Sequence, residues 1–173
     1  MRKNTKYIFE SHRFEIIDCK DKTCKIKFNE EAGEAFKKDR RKLYIIQNAQ
    51  SILYVGEANC SIKERFRRSC NSFNHYARTE KARGGYKGYK WLNNALNSKR
   101  SLMVSIAIFN PLFDDDNKRS FIEAIEGELV FLIRNEFGYW PKFQNEIHFQ
   151  NEAGAKEIAL KIFNEIMPPR RSR

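Results

Sequence analysis

Of the carboxylates in this sequence, Glu126 stands out because its predicted neighbours are apolar, which is unusual for a charged side chain. It lies in a segment, residues 117–137, in which apolar residues recur at helical spacing. A carboxylate among apolar neighbours needs a partner, and a hard divalent cation is a suitable one. Glu123 and Glu128 compete for this role, although polar or glycine neighbours suit them to solvent. The helical neighbours of Glu126 are Ile122, Val130 and Ile133.

Arg65 is the second residue with evident chemistry. The segment from Ser61 to Glu64 fits a capping box, so we expect a helix to begin at this point. Arg65 then lies beside the apolar positions Ile62 and Phe66 at the edge of the buried stripe. A guanidinium in such a place is costly unless it meets an anion, and a phosphate gripped by its planar fork meets that need.

Two tyrosines lie in neighbouring β-rich runs, Tyr44 in 43–47 and Tyr54 in 52–55, which we interpret as a hairpin. Side chains alternate along a strand, so the two phenols share a face of the hairpin if its loop has an odd number of residues. A phenol titrates near 10, so a tyrosine base needs help from a metal ion or another cation. Simple aromatic packing across the hairpin is the alternative.

These residues occur in an order that resembles the GIY-YIG nucleases. Leu43-Tyr44-Ile45 is similar to the first motif, and Tyr54-Val55-Gly56 is similar to the second. Arg65 then follows on the next predicted helix, and Glu126 lies in a later segment similar to the glutamate helix of the family. The resemblance spans roughly residues 43–147, with Leu43 and Val55 replacing a Gly and an Ile whose side chains carry no chemistry.

The resemblance implies a role for each of these residues. Tyr44 would activate the water with support from Tyr54, Arg65 would bind the scissile phosphate, and Glu126 would hold one divalent ion, Mg²⁺ or Mn²⁺, per active site. His75 would orient the phosphate or assist proton transfer, with Tyr76, Tyr86 and Tyr89 as rivals for that position. Asn145 would close the site. Glu57 stands where repair members of the family often carry Lys.

Most of the positive charge is concentrated in residues 61–100. This stretch holds eleven Lys and Arg against two Glu, so it accounts for +9 of the net charge of +11. Six aromatic residues are interleaved with the basic ones. Such a segment favours binding of a nucleic-acid backbone over a merely solvated face. Apart from Arg65, the predicted backbone contacts are Lys63, Arg67, Arg68, Arg78, Lys81, Arg83, Lys87 and Lys90, with Asn145 further along.

Over residues 43–137 the periodicities predict elements in the order β, β, α, β, α, which agrees with the α/β (α+β) fold class that the resemblance implies. We expect strands at 12–17 and 23–28, then the hairpin, a helix from Ser61, a strand at 102–109, and helices at 117–137 and 152–166. The family resemblance implies a small mixed sheet, three-stranded and antiparallel at its centre, flanked by helices. We therefore predict an N-terminal β-hairpin extension (1–42), a nuclease core (43–150) and a C-terminal helix with a basic tail (151–173).

The sequence thus predicts a cytoplasmic, metal-dependent DNA endonuclease acting on duplex DNA. No apolar run reaches the roughly 20 residues of a membrane helix, and the start lacks a secretory signal. The resemblance further suggests a restriction-like, phage-defence or mobile-element enzyme, with a homodimer if the target is palindromic. A non-catalytic nucleic-acid-binding protein and an RNA nuclease remain alternatives, because phosphate contacts look alike for DNA and RNA.

Overall fold

The computed structural model of the chain describes residues 6–17, 24–93, 101–144 and 147–166. Within these ranges the helices are α1 (Ile62–Thr79), α2 (Arg119–Phe137) and α3 (Ala155–Ile166). The strands are β1 (Tyr7–Ile17), β2 (Lys25–Phe28), β3 (Lys42–Gln47), β4 (Ile52–Ala58) and β5 (Leu102–Phe109). These strands form one antiparallel sheet in the order β2-β1-β5-β3-β4, which confirms the expected fold class.

The N-terminal hairpin is part of this sheet. β1 pairs with β5 over eight residue pairs, from Tyr7 opposite Phe109 to Phe14 opposite Leu102. β1 therefore begins at Tyr7 and not at the predicted residue 12, because β5 offers a partner along the whole of this length. The expected extension is thus joined by a continuous ladder to β5, β3 and β4, the three strands of the predicted core.

A β-bulge decides which side chains of the β3–β4 hairpin share a face. Tyr44 lies opposite Gly56 and Ile46 opposite Tyr54, after which the register shifts. With an unshifted ladder, the four-residue loop at 48–51 would leave the two tyrosines on opposite faces. The bulge adds one residue to β4, so Tyr44 and Tyr54 lie on the same face, as the chemistry of the predicted site requires.

Helices cover both faces of the sheet. On one face, Phe66 of α1 packs within the cluster that contains Tyr44, Tyr54 and Trp91. On the other face, residues of α2 and α3 pack against Leu43, Ile45 and Val55 of the hairpin. β4 is an edge strand, so its outer side lies between the helix layers that cover the two faces of the sheet. In the described part of the chain, no helix combines the length and the apolar character that would allow it to cross a membrane.

The ends of the helices follow local sequence signals. The Ser61 hydroxyl accepts the Glu64 N–H across 3.1 Å at the start of α1, as the capping box predicts. The Glu64 carboxylate, however, binds arginines of its own helix and does not reach back to Ser61. Gly138, with φ of 76°, ends α2. α3 begins at Ala155, later than the predicted residue 152, because Gly154 has a φ of 84° that a helix does not admit.

Hydrogen bonds of Lys42 connect the start of β3 to the start of α1. Its side chain is fully buried, and Nζ donates to the carbonyl oxygens of Lys37, Arg40 and Cys60 at 3.1, 2.6 and 3.0 Å. Burial lowers the pKa of this ammonium to about 8. The three carbonyl groups that precede β3 and α1 are therefore held around one side chain, which sets the relative position of the two elements that carry Tyr44 and Arg65.

Candidate active site

The phenol of Tyr44 and the guanidinium of Arg65 are in direct contact. Arg65 Nε donates a hydrogen bond to the Tyr44 hydroxyl across 3.1 Å. Tyr44 is fully buried, whereas Arg65 is partly exposed. Burial raises the pKa of the Tyr44 phenol, and the adjacent Arg65 guanidinium offsets only part of this effect. Tyr44 is therefore neutral in the resting protein at neutral pH.

Gly56 leaves the space in which the two tyrosine rings pack. A Cβ at this position would lie 2.6 Å from Cε1 of Tyr54 and 2.7 Å from the Tyr44 hydroxyl. Real Cβ atoms do not tolerate such distances, so any other residue would displace at least one ring. The glycine of the Tyr-Val-Gly motif is thus required by close approach of side chains and not by an unusual backbone angle.

Tyr86 encloses Arg65 from the other side. The guanidinium carbon lies 5.1 Å from the centroid of the Tyr86 ring and 5.9 Å from that of Tyr44. The Tyr86 hydroxyl is 3.3 Å from Ser69 Oγ, one turn after Arg65 on α1. In the described part of the chain, Arg65 forms no ion pair with a carboxylate, so its charge is balanced only by aromatic faces and one phenol oxygen.

Glu126 faces the same region from α2. Its helical neighbours Ile122, Val130 and Ile133 are buried, as the periodicity predicted, while Glu126 itself keeps partial contact with solvent. Burial raises the pKa of Glu126 to about 8, with a further contribution from the negative charges of Glu57 and Glu123. The positive charge of Arg65 acts in the opposite direction and lowers the pKa of Glu126. The Glu126 carboxyl is therefore close enough to the Tyr44–Arg65 pair to interact with it electrostatically.

A network of charged residues borders Glu126. Arg41 is almost completely buried and binds the Glu57 carboxylate, Asp116 Oδ1 at 3.0 Å and the Phe113 carbonyl at 2.9 Å. Arg119 Nε lies 3.6 Å from the other oxygen of Glu57. Glu57 is therefore held between two arginines. This network was not predicted, although Glu57 was noted as unusual, because its members are up to 78 residues apart in the sequence.

These residues surround a polar pocket of about 340 Å³. It contains a carboxyl group, Glu126, that is only partly solvated, and a cation, Arg65, without a carboxylate partner. Glu123 also lines the pocket, where it binds Arg119 at 2.9 Å, whereas Glu128 does not line it. The lining residues are Arg41, Tyr54, Glu57, Ala58, Asn59, Cys60, Arg65, Arg68, Asp116, Arg119, Glu123 and Glu126.

Gln144 holds the edge of β4 beside this pocket. Its side-chain Oε1 accepts the Val55 N–H at 2.9 Å, and its Nε2 donates to the Val55 carbonyl at 3.1 Å. Backbone N–H groups of Lys142 and Phe143 bind the carbonyls of Ile52 and Leu53. The segment before Gln144 thus covers the edge strand. Asn145, predicted to close the site, lies outside the described residues.

His75 does not lie in the pocket. Ten residues of α1 separate it from Arg65, which corresponds to about 15 Å along a helix axis. It is partly exposed near the C-terminal end of α1, where its carbonyl accepts the Thr79 hydroxyl. Of the rivals named from the sequence, Tyr86 is the one that contacts Arg65.

The basic and aromatic residues of the segment from Ser61 onward separate in the structure. Phe66, Phe73, Tyr89 and Trp91 are buried and belong to the core, so they are not available to stack on bases. The predicted basic contacts are exposed side chains, namely Lys63, Arg67, Arg68, Arg78, Lys81, Arg83, Lys87 and Lys90. Lys63 is paired with Glu31, and Arg67 and Arg68 are paired with Glu64. Arg68 and Arg83 lie closest to the site, because both share a pocket with Arg65.

No group of three or more metal-ligating His, Cys, Asp or Glu side chains occurs among the described residues. Comparison of the chain with protein-family models, with curated proteins and with solved structures found no match.

Proposed function

We propose that this protein is a metal-dependent endonuclease that hydrolyses phosphodiester bonds in DNA, with its active centre in the pocket that Tyr54, Arg65 and Glu126 line and with Tyr44 behind Arg65. The single observation that carries the proposal is the state of Arg65. Its guanidinium lies between two tyrosine rings, lacks a carboxylate partner among the described residues and lines the pocket that Glu126 also lines. A partly desolvated cation of this kind favours an anion, and a phosphodiester fits its planar fork.

Tyr44 acts beside that anion as a neutral phenol. Its oxygen accepts from Arg65, so its own proton is not used in that bond. Tyr44 is fully buried and does not itself line the pocket, so transfer of this proton to a water molecule or a phosphoryl oxygen requires a side-chain shift that exposes the phenol. Loss of that proton would place a phenolate against the Arg65 guanidinium, which stabilises it. Tyr54 supports this arrangement, since its ring packs 6.0 Å from that of Tyr44 and lines the pocket.

Glu126 is the residue that fits a divalent cation. Mg²⁺ commonly binds one or two carboxylates, retains several waters and shares the substrate phosphate, so it does not need a cluster of three protein ligands. Of the other pocket carboxylates, Glu57 is bound by Arg41 and Glu123 is bound by Arg119. Mg²⁺ or Mn²⁺ at Glu126 would supply positive charge beside the phosphoryl oxygens and would acidify a water molecule.

Duplex DNA is the substrate that the charge distribution and the motif resemblance favour. The exposed basic side chains of 61–93 lie on and after the helix that carries Arg65, and such residues bind a phosphate backbone irrespective of sequence. A palindromic target would be cut by a homodimer that presents one pocket to each strand.

The test is cleavage of a mixed plasmid and phage DNA pool by the purified protein with Mg²⁺ or Mn²⁺. Glu126→Ala removes the proposed ligand, and Glu128→Ala is its matched control, because Glu128 lies on the same helix outside the pocket. We expect cleavage by the wild type and by Glu128→Ala, and none by Glu126→Ala or in EDTA. Intact DNA that nevertheless binds the protein would overturn the nuclease proposal in favour of a binding module. Cleavage of RNA in place of DNA would overturn the choice of substrate.

A further inference from the structure

A second, smaller pocket lies beside the first and differs from it in charge. It has a volume of about 270 Å³ and is lined by Arg65, Arg68, Asn71, Ser72, Arg83 and Tyr86. Arg65 and Arg68 line both pockets. The first pocket contains four carboxylates, whereas the second has three guanidinium groups and no carboxylate in its lining.

Three of the lining residues form a row along α1. Arg65, Arg68 and Ser72 follow one another at intervals of three and four residues, so they lie on one face of the helix. The seven residue steps from Arg65 to Ser72 rise about 10 Å along the helix axis, while one strand of duplex DNA rises about 3.4 Å per nucleotide. The row is therefore long enough to follow a strand for more than one nucleotide.

Arg83 adds a cation to this row from the loop after α1. Its side chain is exposed, and the described residues provide it with no carboxylate partner. It belongs to the short turn Arg83–Gly85, which leads directly into Tyr86, and Tyr86 is fixed between Arg65 and Ser69. The contacts of Tyr86 therefore hold Arg83 near the row.

We propose that this second pocket binds the phosphate adjacent to the one that is cleaved, with Arg83 and Arg68 as the cations that hold it. The proposal rests on the proposed nuclease function and assigns the direction in which the substrate strand leaves the active centre. The polar groups of Asn71 and Ser72 provide neutral donors for the same phosphate.

Binding without cleavage tests this assignment. Arg83→Ala is compared with Lys161→Ala, which removes the same charge from the exposed side of α3 on the other face of the sheet. The probe is a fluorescein-labelled DNA duplex of mixed sequence in EDTA, followed by anisotropy over a series of KCl concentrations. We expect Arg83→Ala to weaken binding roughly three- to tenfold and to lower the salt slope by about one, and Lys161→Ala to change neither. Equal effects of the two variants would overturn the assignment.

A modified substrate separates this proposal from the nuclease proposal. In DNA with a mapped cut, a methylphosphonate on the phosphate at either side of the cut removes one negative charge. We expect one of the two positions to slow cleavage by the wild type and to cause little further loss in Arg83→Ala. A full additional loss in that variant at both positions would overturn the subsite while leaving the nuclease intact. If the wild type cuts nothing but the difference in binding persists, the nuclease proposal fails, and with it the assignment to a phosphate next to the cut, while the second pocket is still shown to bind a backbone phosphate.

Discussion

Arg65 Nε donates to the Tyr44 hydroxyl across 3.1 Å, and this one bond links the β3–β4 hairpin to the first turn of α1. The two residues are 21 positions apart, yet the guanidinium also lies over the Tyr44 ring. An arginine held in this way has lost much of its conformational freedom before any ligand arrives, which is a condition for tight and well-oriented binding of an anion.

Tyr44→Phe removes the hydroxyl but keeps the ring. We expect the rate of DNA cleavage to fall by roughly 10²–10⁴-fold, because a positioned proton donor or acceptor commonly contributes that much. The free energy of unfolding should fall by only about 1 kcal/mol, the usual net value of one hydrogen bond. Single-turnover cleavage and urea denaturation measure the two quantities. Tyr76→Phe is the control, because Tyr76 is exposed on the same side of the sheet, and an equal loss in both variants would contradict a specific role for Tyr44.

Gly56→Ala should perturb both tyrosines at once. The new methyl group would meet the Tyr54 ring at 2.6 Å and the Tyr44 hydroxyl at 2.7 Å, and both rings are packed in the core. We expect a loss of about 1–3 kcal/mol in the free energy of unfolding, as for other overpacked cores, together with loss of cleavage. Urea denaturation and the cleavage assay provide the measurements.

Gly138→Ala serves as the comparison for Gly56→Ala. Gly138 ends α2 at a φ of 76°, with no atom within 4 Å of an added Cβ, so alanine there costs stability through backbone strain alone. We expect this variant to lose about 1 kcal/mol and to keep its activity. Loss of activity in both variants would mean that lowered stability, and not displaced tyrosines, explains the effect of Gly56→Ala.

The parts of the site that could be predicted from the sequence depend on local rules. The cap at Ser61 fixes the start of α1 and thereby the position of Arg65, and the helical period identifies Glu126 as the carboxylate among apolar neighbours. The shared face of Tyr44 and Tyr54 was stated only as a condition. The β-bulge in β4 meets this condition, and no residue pattern in the hairpin predicts a bulge.

The parts that could not be predicted depend on contacts between distant segments. Arg41 meets Glu57 and Asp116 only because β3, β4 and the turn before α2 converge. The resemblance implies a role for His75, but α1 carries it away from the pocket, and the loop after the helix brings Tyr86 to Arg65. Aromatic residues among basic ones also look alike whether they are buried or exposed, so the pattern of residues 61–100 does not reveal that Trp91 belongs to the core.

Gln144→Leu should loosen the edge of β4 next to Gly56. The change leaves the N–H and the carbonyl of Val55 without the side-chain amide that now binds both. We expect a loss of about 1–3 kcal/mol in the free energy of unfolding, the cost of unsatisfied buried polar groups, and faster hydrogen exchange at the Val55 amide. Gln50→Leu is the matched control, since the Gln50 side chain is exposed in the hairpin loop. Unchanged exchange at Val55 would show that the Gln144 contact is not needed to hold the strand.

The burial of Glu126 should make stability depend on pH in a direction opposite to that of an ordinary carboxylate. Burial, followed by the charges of Glu57 and Glu123, raises the pKa of Glu126 to about 8 from an ordinary value of 4.5. Between these two values the folded protein binds more protons at this position than the unfolded chain does. The contribution of Glu126 to the free energy of unfolding is therefore greatest below the lower value and falls as the pH rises to about 8.

Glu126→Gln removes this dependence because an amide does not titrate. In EDTA, the stability of the variant relative to the wild type should increase by roughly 1–3 kcal/mol between acidic pH and pH about 9, with each pKa unit worth about 1.4 kcal/mol and partial solvent contact reducing the total. Urea denaturation over this pH range gives the difference. Glu128→Gln, on the same helix but outside the pocket, should run parallel to the wild type. Parallel curves for Glu126→Gln as well would mean that the Glu126 carboxyl is solvated, and its fit to a divalent cation would then lose its physical basis.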